Sequence, residues 1–158
     1  MEAIVAVSEN WGIGKDGELL FHIRDDLRRF RALTEGRTVL MGRKTLESLP
    51  GGRGLPNRSN IVVSRRAGWT AENAEVFSDL QAAADAAGDD AVVIGGGSIY
   101  RALLPLCRRV RATKVFAAPP ADTFFPNLDE DPAWHAVWQS EVMEENGVSF
   151  QYVDYERI

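Results

Sequence analysis

The sequence predicts an α/β fold in which helices pack on both faces of a mostly parallel sheet. Three observations lead there. Short β-branched runs alternate with helical patterns along most of the 158 residues. Runs such as Ala91-Val92-Val93-Ile94 are apolar at every position, as strands covered on both faces are. The segment 135–158 breaks the alternation, with two extended stretches about Glu144-Glu145-Asn146-Gly147. Asn-Gly between strand-like runs is a hairpin signal, so the sheet should end in an antiparallel pair.

The expected strands cover 3–7, 38–41, 60–64, 91–94 and 110–116, and the expected helices 25–33, 45–49, 80–87 and 98–104. No repeat or linker interrupts them. A chain of this length with 45% hydrophobic residues supports one compact domain spanning 1–158. The net charge of −5, from 18 basic and 23 acidic residues, makes nucleic acid or an anionic membrane a poor partner. No apolar run approaches membrane-spanning length. Cys107 is the sole cysteine and reads as a small buried hydrophobe, consistent with a reducing compartment. Met1 runs straight into a strand-like segment without a basic, hydrophobic leader, which predicts the cytoplasm. A monomer is the default, and no metal-ligand cluster is expected.

Four features could carry chemistry. Gly12-Ile13-Gly14-Lys15-Asp16-Gly17 matches the dinucleotide fingerprint, but no helix opens at its last glycine, because Glu18-Leu19-Leu20-Phe21-His22 intervenes. A flexible glycine-rich loop near a site is the better reading. Asp26 is the second. At about 100° per residue, Ile23, Leu27, Phe30 and Leu33 form one apolar arc, and Asp26 falls inside it. Asp25 falls opposite, with Arg28 and Arg29, as a solvated first-turn acid. A buried carboxylate must be paired, protonated or facing a ligand. A salt bridge to an arginine meets that requirement as well as a ligand does.

The third feature is Gly95-Gly96-Gly97, between a buried strand and a helix. Such a turn lets backbone N–H groups approach a phosphate, and three glycines exceed what a tight turn needs. The fourth is a pair of basic clusters, Arg43-Lys44 and Arg65-Arg66, each just after a strand. Ligands of parallel sheets bind beyond the strands' carboxyl ends, so these cations suit a multiply charged anion such as a 2′-phosphate.

Together these residues resemble dihydrofolate reductase over essentially the whole chain. The resemblance is carried by Val5-Ala6-Val7 with Gly12-Ile13-Gly14; Asp26-Leu27 with Phe30; Val39-Leu40-Met41-Gly42-Arg43-Lys44-Thr45; Leu55-Pro56-Asn57-Arg58; Ile94-Gly95-Gly96-Gly97 with Tyr100; Thr113; and Asp122-Thr123-Phe124-Phe125-Pro126. It implies an eight-stranded, mostly parallel sheet with four helices and an antiparallel C-terminal strand. It also implies NADPH-dependent reduction of dihydrofolate, with antifolates as plausible inhibitors.

By that resemblance Asp26 is the acid of a pterin slot, hydrogen-bonded to Thr113, with Phe21 alongside. Val5, Ala6, Leu27, Phe30, Ile94 and Tyr100 line the slot, Leu49 and Leu55 hold the aminobenzoyl ring, and Arg58 takes the glutamate α-carboxylate. Ile13, Gly14 and Leu19 close over the nicotinamide, with Ala6, Tyr100 and Thr123 near the cofactor. Gly42, Arg43, Thr45, Gly97, Ser98 and Ile99 hold the pyrophosphate, beside a cis peptide at Gly95-Gly96. Arg43, Lys44, Ser64 and Arg65 select the 2′-phosphate. The chain departs from the family's usual pattern at Leu20-Phe21, where Pro-Trp is common, and at Arg24, where proline is common. Two rivals remain: another NADPH-dependent reductase of a pterin or riboflavin precursor, and a non-catalytic NADP- or antifolate-binding module.

Overall fold

The computed structural model describes residues 1–158. Strand β1 (Glu2–Val7) leads into a hairpin of β2 (Gly12–Lys15) and β3 (Glu18–Leu19), then helix α1 (Arg24–Thr34). Next come β4 (Thr38–Gly42), α2 (Arg43–Ser48), β5 (Ser59–Val63), β6 (Glu75–Phe77) and α3 (Leu80–Ala87). Then follow β7 (Val92–Gly95), α4 (Gly97–Leu103), β8 (Arg109–Val115) and β9 (Thr123–Phe124). The chain closes with β10 (Trp134–Gln139), β11 (Met143–Glu145) and β12 (Val148–Arg157).

The main sheet runs β10-β12-β8-β1-β7-β4-β5-β6, with β11 paired to β12 as a ninth strand. From β8 through β6 every pairing is parallel, and β12 joins antiparallel to β8. Both faces are covered, as the continuous apolar runs require. Val39, Met41 and Val92 belong to one buried cluster, while their chain neighbours Leu40 and Val93 belong to another. Successive side chains of a strand point to opposite faces, so this split places a core on each side.

Asn146 and Gly147, with φ of 52° and 81°, form the tight turn expected between β11 and β12. Helix α3 starts at its Asp79 cap, whose carboxylate accepts the Ala82 N–H at 3.0 Å, and ends at Gly88 with φ of 82°.

One segment corrects the sequence reading. The stretch 12–19 is a β-hairpin rather than a loose loop. Asp16 and Gly17 adopt φ of 52° and 79°, the pattern of a two-residue hairpin turn. The hairpin gains a third strand, β9, and the Asp122 carboxylate accepts the Asp16 N–H at 2.9 Å. No helix opens after it, which removes the dinucleotide fingerprint.

Candidate active site

Asp26 lies in the first turn of α1, against the middle of the sheet. Thr113 of β8 donates its hydroxyl to Asp26 Oδ1 at 2.5 Å, and Thr113 itself is 2% exposed. No arginine or lysine nitrogen lies within salt-bridge distance of Asp26, so the ion-pair alternative is excluded. Burial pushes its carboxyl above the ordinary range. The Thr113 hydrogen bond and the Arg29 charge pull it partly back, and the Asp25 charge adds to the rise. A carboxyl of this kind can hold a proton closer to neutrality than a surface aspartate can.

The slot around Asp26 follows from the sheet register. Ala6 pairs with Thr113, and Val5 with Ala112. Strands β1 and β7 are in register only at Glu2↔Val92 and Ala3↔Val93, so beyond Val93 their ends part. Half-buried Ala6 and Ile94 lie on those parting ends. Ile94, Leu49 and Leu55 each pack against the buried cluster of Val39, Met41, Leu46, Val62 and Val92. Phe30 is half-buried on α1, whereas Leu27 is 59% exposed although the wheel puts it in the apolar arc. Phe21 packs beside Ile23, Val115, Phe150 and Tyr152.

Arg58 sits at the far end of α1. Its Nε donates to Thr34 Oγ1 at 3.1 Å and its Nη1 to the Pro56 carbonyl at 2.7 Å. No carboxylate pairs with it. Asp26 and Thr34 are eight residues apart, about 12 Å along a helix axis.

A second set of groups lines the carboxyl ends of β7, β4 and β5, which are adjacent in the sheet. After β7, the Gly95–Gly96 peptide is cis and Gly96 precedes α4 without a side-chain cap. The first N–H groups of α4 therefore have no intrahelical partner. A Cβ on Gly97 would stand 2.6 Å from the Thr123 methyl, so only glycine fits there. Thr45 lies beside the same turn, its Oγ1 at 3.6 Å from where a Gly96 Cβ would be. Gly42, at the end of β4, carries the Ile99 side chain against it. Gly42 pairs with Val63, so Arg43 and Ser64 follow on neighbouring strands. Arg43 Nη1 pairs with Glu47 at 3.1 Å, while Lys44 and Arg65 are exposed and unpaired. Ser64 is buried, and its hydroxyl accepts the Arg66 N–H at 3.2 Å.

The small sheet adjoins this turn. Ile13, on β2, is 7% exposed and reaches within 4.0 Å of the Gly97 Cβ position. Gly14 pairs with Thr123 and with Leu19, and Leu19 is exposed. The Tyr100 hydroxyl donates to the Ile4 carbonyl at 2.7 Å, and burial raises its pKa strongly. Ser98 is exposed at the start of α4.

A family model described as dihydrofolate reductase matches residues 1–157. The chain belongs to the dihydrofolate reductase family. The dihydrofolate reductase of Neisseria meningitidis serogroup A is 39% identical over 156 residues, 98% of this chain and 96% of that protein. A type 3 dihydrofolate reductase of Salmonella typhimurium is 44% identical over 126 residues, covering 78% of this chain and 76% of its own. Among solved structures, the Enterococcus faecalis dihydrofolate reductase complexed with NADP(H) and RAB-propyl superposes with a TM-score of 0.84. It is 32% identical and covers 99% of this chain and 95% of its own.

Within this dihydrofolate reductase framework, the sequence reading missed one group of contacts. Asp25 is not a solvated acid: it is half-buried and accepts a short hydrogen bond from the Tyr152 hydroxyl of β12. The Glu145 carboxylate caps α1 from outside, accepting the Arg24 N–H at 2.8 Å and the Asp25 N–H at 3.3 Å. The partners lie 120 to 127 residues away in sequence, beyond any local pattern. Cys107 is buried and its thiol is pushed up to about 11 by desolvation, which leaves it inert.

Proposed function

We propose that the protein reduces 7,8-dihydrofolate to 5,6,7,8-tetrahydrofolate with NADPH, in support of one-carbon metabolism. One observation carries the reading. Asp26, without a salt-bridge partner, lies in the first turn of α1, and Arg58, without a carboxylate partner, is hydrogen-bonded to Thr34 at the last residue of that helix, eight residues and about 12 Å of helix rise further on. That spacing suits a pterin joined through an aminobenzoyl group to glutamate. Arg58, placed without a carboxylate of its own, favours a substrate with an α-carboxylate tail over a pterin that lacks one.

The residues fit a phosphate-bearing dinucleotide. The cradle at Gly95-Gly96-Gly97 has no side chains, uncapped N–H groups open α4, and the Lys44 and Arg65 cations are unpaired. Gly97, Ser98, Ile99, Gly42, Arg43 and Thr45 would hold the pyrophosphate, with Lys44, Ser64 and Arg65 on the 2′-phosphate. Ile13, Gly14, Leu19, Ala6, Tyr100 and Thr123 would surround the nicotinamide half. Bound NADPH supplies the hydride that reaches pterin C6.

The chain contributes orientation and a proton. Asp26 accepts from pterin N3 and the 2-amino group, and Thr113 fixes the rotamer of that carboxyl. Val5, Ala6, Leu27, Phe30, Ile94 and Tyr100 form the slot, and the exposure of Leu27 favours a ligand-facing position. Leu49 and Leu55 grip the aminobenzoyl ring, and Arg58 holds the α-carboxylate. Asp26 helps deliver the proton to N5, directly or through water, and Phe21 offers no N–H to order that water. Diaminopyrimidine antifolates are expected to bind the same carboxyl. On this reading the chain is one cytoplasmic, monomeric domain; no helix is long and apolar enough to cross a membrane.

Purified protein mixed with NADPH and dihydrofolate tests the proposal. Loss of the reduced-nicotinamide absorbance should require dihydrofolate and yield tetrahydrofolate. Oxidation that ignores dihydrofolate, or binding without turnover, would reject it.

A further inference from the structure

The face of α1 that packs against β12 is charged, half-buried and unused by the reaction above. Arg29 Nη2 donates to Asp154 Oδ1 of β12 at 3.0 Å, with the two side chains 17% and 15% exposed. Its guanidinium carbon sits 4.2 Å from the centre of the Tyr152 ring, with the Trp138 ring 5.9 Å away. Asp154 is shared. Arg111 Nη1 reaches it at 3.3 Å, and Arg111 Nε reaches Glu2 at 3.2 Å. Glu2 also accepts from Arg37 at 3.1 Å. Burial alone would push the Glu2 carboxyl up, but Arg37 and Arg111 outweigh it and hold it below its ordinary value. Alternating charges thus run along the sheet from Arg37 to Arg29.

Two relationships join this chain of charges to Asp26. Arg29 follows Asp26 by three positions, which makes them neighbours on the helix surface. Tyr152, against which Arg29 is stacked, is the register partner of Thr113, the donor to Asp26. We propose that Arg29 is a positioning residue for the reduction: clamped by Asp154 against the Tyr152 ring, its guanidinium is held beside the Asp26 carboxyl and sets the pH range in which that acid works. The inference rests on Asp26 being the acid of the proposed reaction.

The charged and titratable groups around Asp26 are Asp25 and Arg29 on α1, Arg111 on β8, Tyr152 and Asp154 on β12, Glu145 on β11 and Tyr100 on α4. Arg111 is committed to Asp154 and Glu2, and Arg29 is the cation whose charge acts on Asp26. Asp25 opposes it, and the Tyr152 hydroxyl donates to Asp25. Removing the Arg29 charge leaves burial and the Asp25 charge opposed only by the Thr113 hydrogen bond, so Asp26 should hold its proton to higher pH. Asp154 would keep Arg111, so the loss does not strand a buried carboxylate.

The test compares Arg29→Gln, which can still donate to Asp154, with Arg29→Lys, which keeps the charge. Two quantities are read on each: the Asp26 midpoint from carbon NMR of labelled aspartate in the ligand-free protein, and the pH–rate profile with NADPH and dihydrofolate. Arg29→Gln should raise both midpoints by about half a unit to one unit. Arg29→Lys should stay close to the parent. Arg29→Met, which retains the apolar stem over Tyr152, replaces Arg29→Gln if that variant does not fold. Unchanged midpoints in a folded, charge-free variant overturn the inference, as does an Arg29→Lys shift equal to that of Arg29→Gln. A drop in melting temperature without a midpoint shift would make Arg29 purely structural and likewise overturn it. Asp26→Asn in the same assay separates the two levels. If it turns over normally, the underlying reading of Asp26 has failed rather than the role of Arg29.

Discussion

Thr113 of β8 donates its hydroxyl to Asp26 of α1 across 2.5 Å, and this contact joins the helix to the centre of the sheet. The bond favours the ionised carboxylate and so opposes burial, which favours the proton. Thr113→Val removes the donor and keeps the shape. Asp26 should then hold its proton to higher pH, and the alkaline limb of the pH–rate profile should move up. The buried acceptor left without its partner should cost about 1–3 kcal/mol, read by denaturant unfolding. An unmoved profile would mean that this hydroxyl does not govern the acid.

Arg58 is oriented by Thr34 and the Pro56 carbonyl with no carboxylate of its own. A bidentate guanidinium–carboxylate contact contributes roughly 1.5–3 kcal/mol. Arg58→Leu should therefore weaken folate about 10- to 150-fold and leave a pteridine without the glutamate tail almost unaffected. Equal weakening of both ligands in equilibrium titration would make Arg58 structural.

Arg43 and Arg65 follow adjacent strands, and Arg43 is already oriented by Glu47. Replacing both with Gln should raise KM for NADPH about tenfold to a hundredfold, through loss of charge-assisted contacts. KM for NADH should rise far less, because only the Arg43 contact to the pyrophosphate is common to both cofactors. Equal use of the two cofactors by the unmodified protein contradicts the assignment.

Asp26 also makes a stability prediction. Its folded pKa is raised above the unfolded value by burial. Such a group contributes stability that is fully present below the unfolded value of about 4, and that contribution is lost as pH rises through the folded pKa. Asp26→Asn cannot undergo that loss. Its melting temperature relative to the parent should therefore improve from pH 4 to pH 7. A relative decline over that range would mean that the charge is stabilised in the fold.

How much was legible in the sequence depended on how local the signal was. Helix α3 was placed end to end because its signals are local, and the structure puts its Asp79 cap and its terminal Gly88 directly beside it. The Asp26 arc needed only helical periodicity. The hairpin of β2 and β3 was missed although Asp16-Gly17 is a turn pair, because its strands are two to four residues long and its third strand lies a hundred residues away. Asp25 and Arg29 looked solvated on the wheel for a related reason. A wheel shows one helix, whereas Tyr152 and Asp154 approach from the C-terminal strand. The three-residue strand β6, at the sheet edge, carries too few residues to show a period.

The most direct test of the account is the pH–rate profile of Asp26→Asn with NADPH and dihydrofolate, measured beside the parent protein. The account predicts that the variant folds, retains NADPH affinity and loses turnover at neutral pH by roughly 10²–10⁴-fold, the range for lost acid–base assistance. Activity should recover in part at low pH, where solvent protonates the substrate. A folded variant with parental turnover at neutral pH would contradict it.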